Sequence, residues 1–290
     1  MRLFQKCVST PGIVQNLHPA SWRDHRFGLP QDRWERLTGR SFWITGAGTG
    51  YGRCIALALA AAGARVFISG RRIEKLRETV EEGAALGIDV SRCISVPVDI
   101  RSDEDLARAV RSIQHVSTSL YGLVNSAALP QPPGAVFPLT DQSVASWTDL
   151  LATNVTGPWL TCRAAMPLLG NGEGFRILLL SSFAGWASTP GFGSYNISKS
   201  ALNTLGASLA AECAMKYPGK DIQINVLVPG EARTEMNQGS TESPYAVVSM
   251  VLVLLSHPPG GPNGFFFNRD GRHLAFAYAQ EYPQPLLDVR

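Results

Sequence analysis

The sequence has few charged residues, few cysteines and no long hydrophobic run. Charged residues make up 17% of its 290 residues, which argues against a disordered, highly charged chain. The 26 Lys and Arg residues stand against 23 Asp and Glu and do not cluster, so nothing indicates nucleic-acid binding. The five cysteines are scattered without a CxxC pair. We therefore expect no disulfide framework and no zinc site, and a reducing cytosol fits best.

No stretch of the sequence is apolar for long enough to span a bilayer. The longest strongly apolar run, Tyr245–Leu255, contains Ser249 and falls well short of the ~20 residues that a membrane helix needs. The N-terminus, MRLFQKCVSTPG, lacks the continuous apolar segment of a secretory signal. We therefore expect no membrane association and a cytoplasmic location.

The sequence does contain 28 glycines and, from Ser41 onward, a regular succession of apolar segments. Residues 1–38 have no clear apolar period and are interpreted as an N-terminal extension. Two alternatives stay open for them. They fold back through Trp22 and Trp34, with a short helix near Gln31–Leu37, or they form a loosely ordered tail. Residues 39–290 show no internal repeat and no linker, so we predict a single domain there.

Short apolar segments alternate with longer, helix-like segments. The short segments predict strands at Phe42–Thr45, Arg65–Ser69, Cys93–Val98, Leu120–Asn125, Phe175–Ser181, Ile222–Val228 and Gly264–Asn268. The longer segments predict helices at Tyr51–Ala62, Ile73–Leu86, Ser102–Val116, Ser143–Leu169, Gly193–Tyr217 and Pro244–Ser256, with a bend at Pro158. Strands that are apolar throughout are typical of a covered parallel sheet. The pattern predicts an α/β fold: a doubly wound parallel sheet of about seven strands with helices on both faces.

A glycine-rich turn, Thr45–Gly52, connects the first predicted strand to the next helix. Glycines let the backbone turn tightly and approach a ligand, and the N-terminus of a helix offers free N–H groups to a pyrophosphate. Because the turn lies between a strand and a helix, it indicates a dinucleotide site more strongly than a merely structural turn.

The residues after the second strand, Gly70-Arg71-Arg72, indicate which dinucleotide binds. A dinucleotide fold that prefers NAD usually places Asp or Glu here to bind the ribose 2′-OH, whereas arginine suits a 2′-phosphate. We therefore expect NADP(H) to be preferred, with NAD(H) as the alternative. In the competing interpretation, Arg71 and Arg72 are solvated residues in the first turn of the next helix.

Tyr195 and Lys199 are spaced i, i+4 on a predicted helix, so their side chains share one face. A free tyrosine has a pKa near 10. A nearby ammonium favours the phenolate and lowers that pKa, which brings the tyrosine closer to proton transfer at neutral pH. Such a pair is common by chance, so it indicates a catalytic role only in combination with other motifs.

Two further polar positions stand out. Ser182 follows the fifth strand, at the sheet edge where parallel sheets bind ligands, so its hydroxyl is placed to bond a substrate oxygen. Ser181 is the adjacent alternative, and either serine could instead satisfy local backbone. Asn154 is a polar residue in an apolar helical stretch. Taken alone, it is equally well explained as a buried side chain that hydrogen-bonds backbone carbonyls left without partners at a bend.

Together these elements resemble the short-chain dehydrogenase/reductase family in order and near its spacing. The resemblance covers about Leu37 to Gly271. The matching residues are TGAGTGYG (Thr45–Gly52), Asp99, NSAA (125–128), Asn154, Ser182, YNISK (195–199), Pro229-Gly230 and Thr234. Each motif is weak alone, whereas the combination is highly specific. The resemblance implies a Rossmann-type fold that binds NAD(P) and transfers a hydride to or from a carbonyl or secondary alcohol.

The resemblance also implies a role for each matching residue. Tyr195 would be the general acid in carbonyl reduction and the base in alcohol oxidation. Lys199 would lower its pKa and hold the nicotinamide ribose, Ser182 would polarise the substrate oxygen, and Asn154 would hold a water that links Lys199 to solvent. The cofactor-binding residues would be Gly46, Thr49, Gly50, Tyr51, Gly52, Arg71, Arg72, Asp99, Ile100, Asn125, Ala127, Tyr195, Lys199, Pro229, Gly230 and Thr234, with no metal.

The sequence departs from the family pattern in three places. Ser126 and Ala128 stand where the family usually has Asn and Gly, and Arg272 stands where it usually has Gly. The segment between Thr234 and the helix near Pro244 is short, which implies a small lid over the substrate.

The substrate and the assembly are less defined. The loops at 130–140, 183–192 and 235–243 would form the pocket walls, with Trp186 and Phe192 as apolar lining or as packing residues. By resemblance, we expect a homodimer or homotetramer through the helices at Ser143–Leu169 and Gly193–Tyr217, with 265–287 as a second interface. The alternative function is a dinucleotide-binding sensor or scaffold that has lost catalysis.

Overall fold

The computed structural model describes residues 18–130, 139–186 and 191–275. Within them lies a sheet of seven strands in the order β3-β2-β1-β4-β5-β6-β7, parallel throughout. The strands are β1 (Ser41–Thr45), β2 (Arg65–Ser69), β3 (Cys93–Ser95), β4 (Gly122–Asn125), β5 (Gly174–Leu180), β6 (Asp221–Val228) and β7 (Phe266–Asn268). The predicted doubly wound α/β fold is confirmed.

Helices cover both faces of the sheet. They are α1 (Trp22–His25), α2 (Gln31–Glu35), α3 (Gly50–Ala61), α4 (Ile73–Ala85), α5 (Asp103–Gln114), α6 (Val144–Leu151), α7 (Gly157–Gly170), α8 (Gly193–Lys216) and α9 (Val248–Leu255). Two hydrophobic cores result, one on each face. One contains buried residues of α3 and α9, and the other contains buried residues of α5, α7 and α8. This two-sided burial explains why the strands are apolar throughout.

The helix predicted over Ser143–Leu169 is interrupted. A π-helical turn, Ala152–Thr156, separates α6 from α7. Pro158 is the second residue of α7, directly after this turn, and it has no N–H to continue the helical hydrogen bonds. The bend was predicted at Pro158, but the irregular backbone lies just before it. Its consequence is local: the side chains of Thr153 and Asn154 are buried.

Residues 18–38 pack against the core beside α9. The ring of Phe27 is buried and stacks on Tyr245, with centroids 6.0 Å apart and planes 5° apart. Ser249 Oγ donates to the carbonyl of Phe27 at 2.6 Å, and Arg33 Nε donates to the carbonyl of Ser256 at 2.9 Å. Within 18–38, the structure therefore has the folded-back arrangement, and α2 lies inside the short helix predicted at Gln31–Leu37.

In the described part of the chain, no helix combines the length and apolarity that a bilayer crossing requires. No group of three or more His, Cys, Asp or Glu side chains there is arranged to hold a metal ion. Its four cysteines, Cys54, Cys93, Cys162 and Cys213, are buried and unpaired. Cys7 lies outside the described residues.

If the 18–38 segment is part of the folded domain, Phe27→Ala should lower the free energy of unfolding by about 3 kcal/mol, as expected for truncating a buried aromatic residue. Urea denaturation would measure this change. Val144→Ala, at a side chain 82% exposed, is the matched control and should change it by less than about 0.5 kcal/mol. Equal small changes in both variants would show that the segment does not contribute to stability.

Candidate active site

The site forms at the carboxyl edge of the sheet, where the chain order reverses between β1 and β4. β1 pairs with β2 on one side and with β4 on the other, so Thr45 is in register with both Ser69 and Asn125. The connections leaving these strands diverge to opposite faces and leave a crevice at this point. The loops after β1, β2, β3, β4 and β6 all contribute residues to it.

The glycine turn after β1 is held tightly against the loop after β4. Gly46 has φ +67°, and a Cβ there would lie 2.7 Å from the backbone N of Ala127. A Cβ on Gly52 would overlap the carbonyl oxygen of Gly46. Thr49 is the N-cap of α3 but makes no capping hydrogen bond with its side chain. The first N–H groups of α3 therefore lack that cap and are available to an anion.

A cleft of about 980 Å³, including its open mouth, lies along this edge. Ten predicted cofactor-binding residues line it: Gly46, Thr49, Gly50, Tyr51, Arg71, Arg72, Asp99, Ile100, Ala127 and Thr234. The glycine turn, the arginines after β2 and the loop after β6 are therefore parts of one continuous site.

The other predicted cofactor-binding residues lie behind or beside the cleft lining. Gly52 is buried in α3 against the turn. Asn125 is buried at the end of β4, and its Nδ2 donates to Cys162 Sγ at 3.4 Å. Tyr51 Oη donates to the carbonyl of Gly230 at 2.8 Å, so the turn at Pro229-Gly230 is tied to the start of α3. Burial raises the pKa of Tyr51 to about 12, which keeps this donor protonated.

The end of the cleft beyond β2 is basic. Arg71 and Arg72 line it, with Lys75 and Arg101 nearby, against the carboxylates of Asp99 and Glu235. Hydrogen bonds from Arg101 to Asp99, at 2.7 to 3.1 Å, hold the pKa of the Asp99 carboxyl below its usual range. The balance of lining charges favours an anionic ligand at this end.

Tyr195 and Lys199 project from α8 toward the end of β5. Lys199 Nζ is buried, donates to the carbonyl of Leu180 at 3.0 Å and lies 5.6 Å from the ring centroid of Tyr195. Burial lowers the pKa of Lys199 to about 8, so the amine stays mostly protonated at pH 7. This places a cation next to the phenol inside the protein.

The pKa of Tyr195 differs from our expectation. Burial raises it, and a hydrogen bond with Ser182 acts in the opposite direction without reversing the shift. The expected lowering by Lys199 is not found because the buried phenolate is poorly solvated and the ammonium is directed to the carbonyl of Leu180. In this arrangement Tyr195 is a neutral phenol, which is the form a general acid needs.

The two candidate serines differ in the groups that their side chains contact. Ser181 Oγ is buried and hydrogen-bonds to Asn203 Oδ1 at 2.6 Å, so it is engaged inside the core. Ser182 Oγ accepts from the N–H of Ala184 at 3.2 Å, and the same side chain lowers the pKa of the Tyr195 phenol. Ser182 is therefore the serine beside the phenol.

Asn154 lies in the π-helical turn and joins three segments. Its Oδ1 accepts from the N–H of Leu129 at 2.7 Å, and its Nδ2 donates to the carbonyl of Leu129 at 3.0 Å. The same Nδ2 donates to Ser198 Oγ at 3.2 Å, and Ser198 lies between Tyr195 and Lys199 on α8. The side chain thus braces the loop after β4 against α8. Its predicted water-holding role stays a prediction.

Among the other lining residues, Glu235 and Met236 belong to a predicted pocket wall. Four more belong to motifs quoted above but were given no role of their own: Gly48, Gly70, Ser126 and Ala128. The residues not predicted are Lys75, Val98, Arg101 and Thr153. Lys75 and Arg101 follow Arg71 and Asp99 closely in the sequence, and their proximity could have suggested them. Thr153 directly precedes the predicted Asn154, but the π-helical turn that directs it to the cleft has no sequence signal.

Parts of the predicted pocket walls lie outside the described residues, namely 131–138 and 187–190, as does the tail from 276 onward. Trp186 packs edge-on against Phe266, with centroids 5.7 Å apart, and donates to the carbonyl of Ala275 at 2.6 Å. Phe192 is 40% exposed at the start of α8. Of the two alternatives for Trp186, this geometry favours packing.

The cleft fits a dinucleotide on its own features. Gly46 lines the cleft and packs so closely on the backbone of Ala127 that it has no room for a side chain, so backbone forms this part of the wall. Thr153 also lines the cleft, and its buried Oγ1 has no hydrogen-bond partner among the described residues. An orphaned buried hydroxyl indicates a missing polar partner. With the uncapped start of α3 and the basic end, the cleft offers donors suited to phosphates and a ribose.

The burial of Lys199 should reduce stability, so Lys199→Met is expected to raise the free energy of unfolding at pH 7 by about 2 kcal/mol. A pKa drop from 10.5 to about 8 corresponds to about 3 kcal/mol, offset by the lost bond to Leu180. Between pH 8 and 10.5 the unfolded chain binds more protons than the folded protein does. The free-energy cost of burying Lys199 is therefore complete below pH 8 and declines as the pH rises above 8. The advantage of Lys199→Met should therefore shrink toward pH 10.5.

Urea titrations at pH 7 and pH 10 would measure this. Lys216→Met, at an exposed position near the end of the same helix, is the control and should change stability by less than about 0.5 kcal/mol at both pH values. A destabilised Lys199→Met variant at pH 7 would contradict the assigned cost of burial.

Comparisons with known proteins agree with this architecture. The family model described as short chain dehydrogenase matches residues 41–244. The chain is 32% identical over 209 residues to NADPH-dependent aldehyde reductase 2, chloroplastic, of Arabidopsis thaliana, covering 69% of this chain and 75% of that protein. It is 31% identical over 216 residues to the 3-oxoacyl-acyl-carrier-protein reductase of rhamnolipid biosynthesis from Pseudomonas aeruginosa, covering 73% and 80%.

A short-chain dehydrogenase from Escherichia coli CFT073, solved with NADPH, superposes with a TM-score of 0.73 and 25% identity, covering 83% of this chain and 99% of that one. The family match extends over more than half of the chain and includes the glycine turn, the serine after β5 and the tyrosine and lysine of α8. The chain belongs to the short-chain dehydrogenase/reductase family.

Proposed function

We propose that this protein is an NADP(H)-preferring oxidoreductase that interconverts a carbonyl and a secondary alcohol, with Tyr195 as its general acid and base. The observation that carries the proposal is the arrangement around Tyr195. Its hydroxyl lies beside Ser182, which lowers its pKa, its ring lies 5.6 Å from the buried amine of Lys199, and its helix is braced by Asn154. The relatives named as reductases support the direction of chemistry.

The residues divide the chemistry between them. A bound nicotinamide supplies or accepts the hydride. In the reduction, Ser182 donates a hydrogen bond to the carbonyl oxygen of the substrate, and Tyr195 gives that oxygen its proton as negative charge develops. Lys199 stabilises the phenolate that Tyr195 becomes, because its ammonium is held within the protein where opposite charges interact strongly. Alcohol oxidation runs through the same groups in reverse.

The preference for NADP(H) is proposed from Arg71. Arg72 is paired with Glu235, and Arg101 is paired with Asp99. Arg71 lines the cleft and has no ion pair within 4 Å among the described residues. A guanidinium without a carboxylate partner is free to bind a 2′-phosphate in two-pronged fashion. Gly70 stands just before it, so no carboxylate there repels that phosphate.

Assembly and location stay predictions. Trp159 on α7 and Ile197 on α8 are large apolar side chains exposed on the two helices predicted to form a homodimer or homotetramer. Part of the second predicted interface, 276–287, lies outside the described residues. Light scattering would test the expected oligomer, and a monomer would contradict it.

Replacing Tyr195 with Phe should lower kcat by at least about 100-fold, because positioned proton transfer contributes about 10²–10⁴. Fluorescence titration with NADPH should show cofactor affinity within a few-fold of the original protein. As a control, Tyr121→Phe, on a ring packed near β4, should leave kcat within about two-fold. Turnover that survives Tyr195→Phe would exclude the proposed mechanism, and a protein with no turnover before mutation would favour the sensor alternative.

Replacing Arg71 with Asp should lower the ratio of NADPH to NADH affinity by about 10- to 100-fold, the size expected for losing a hydrogen bond between charged groups. Titration with both cofactors gives the ratio directly. Arg77→Asp introduces the same charge change on the exposed side of α4 and should leave the ratio within about two-fold. If both variants move it equally, the effect belongs to net charge and not to a 2′-phosphate contact.

A further inference from the structure

The loop after β6 crosses the cleft. Its base is closed by the N–H of Arg233, which donates to the carbonyl of Glu242 at 2.8 Å. Thr234 then lies against the first turn of α3, where a Cβ added to Gly50 would be 3.2 Å from its Cγ2. The next residue, Glu235, extends to the far wall. The loop therefore contacts the glycine turn and the basic end of the cleft at the same time.

Glu235 is held at that wall by two basic residues. Its Oε2 lies 2.7 Å from a guanidinium nitrogen of Arg72, and its Oε1 lies 3.7 Å from Nζ of Lys75. These contacts join the loop after β6 to the start of α4. No other ion pair among the described residues connects these two parts of the chain. The hydrogen bond from Arg72 holds the pKa of Glu235 below its usual range, so the carboxylate is charged at neutral pH.

The strength of this contact suits an opening and closing element. The side chains of Arg72 and Glu235 are 53% and 49% exposed. Exposed ion pairs contribute little to stability and are screened by salt. A purely structural tie would be expected between less exposed groups, as in the pair of Arg176 with Asp221 at the amino-terminal edge of β5 and β6. The Glu235 pair instead lies among the residues that line the cleft.

We propose that Glu235 is a positioning residue that holds the loop after β6 closed over the bound dinucleotide through Arg72 and Lys75, and thereby sets the rate at which the cofactor leaves. This rests on the proposed function, because it takes a dinucleotide as the occupant of the cleft. The two neighbouring arginines then have different roles: Arg72 holds the loop closed, and Arg71 faces the ligand. Glu235 itself touches neither the substrate oxygen nor the hydride path.

The test is the dissociation rate of NADH, measured by stopped-flow fluorescence after mixing the protein–NADH complex with excess NAD⁺. NADH lacks the 2′-phosphate, so loss of a phosphate contact by Arg72 does not enter the result. Glu235→Gln and Arg72→Gln should each release NADH about two- to five-fold faster, the range expected for a half-exposed ion pair. Glu231→Gln, an exposed residue of the same segment, is the control and should release NADH at the original rate.

Three further readouts separate a closing role from a structural one. The double variant Arg72→Gln/Glu235→Gln should release NADH no faster than the faster single variant, because both remove the same pair. Raising NaCl from 50 mM to 500 mM should speed release from the original protein and have less effect on Glu235→Gln. The thermal unfolding midpoint of Glu235→Gln should stay within about 2 °C.

The outcomes distinguish the two proposals. Normal NADH binding with an unchanged release rate in Glu235→Gln would overturn the closing role and leave the proposed function intact. Additive effects in the double variant would also overturn it, because the two residues would then act separately. Absence of NADH and NADPH binding to the original protein would overturn the proposed function, and the role of Glu235 with it.

Discussion

The contact between the glycine turn after β1 and the loop after β4 is the constraint on which the site depends. Thr45 Oγ1 accepts from the N–H groups of Ser126 and Ala127 at 3.2 and 3.3 Å, so the two loops are joined at the end of their strands. At this distance Gly46 cannot carry a side chain. The crevice is therefore walled by backbone, and the start of α3 is directed into it. Ser126 and Ala128 depart from the family pattern, yet the backbone contact is present.

A second constraint acts at the far side of the site, where a cation is kept inside the protein. Lys199 is 3% exposed and has one backbone carbonyl as its hydrogen-bond acceptor. Such burial opposes folding, and it brings the amine next to Tyr195 without exposing the amine to water. The neutral state of Tyr195 follows from the same burial. The site is thus arranged to hold a phenol that loses its proton only when charge develops on the substrate.

The features that could be predicted from the sequence are those that depend on residues close together in the chain. The parallel sheet was predicted from strands that are apolar throughout, and the glycine turn was predicted from residues adjacent in sequence. Tyr195 and Lys199 share a helix face because of their spacing, and the structure places them so. The predicted lowering of the Tyr195 pKa was wrong. Burial of the phenol and the contact of Lys199 with the carbonyl of Leu180 depend on tertiary packing, which the i, i+4 spacing does not reveal. The π-helical turn holding Thr153 and Asn154 was missed for the same reason.

Contacts between distant segments explain what else could not be predicted. Arg71 and Arg72 are adjacent and chemically equivalent in the sequence, so both were assigned to the cofactor. Only the fold shows that Glu235, 163 residues later, reaches Arg72 and not Arg71. The pair of Arg72 with Glu235 is about half exposed, so it can break and re-form in water. One contact can therefore hold the loop after β6 over a bound cofactor and still let that cofactor leave, which a turnover cycle requires and a permanent binding site does not.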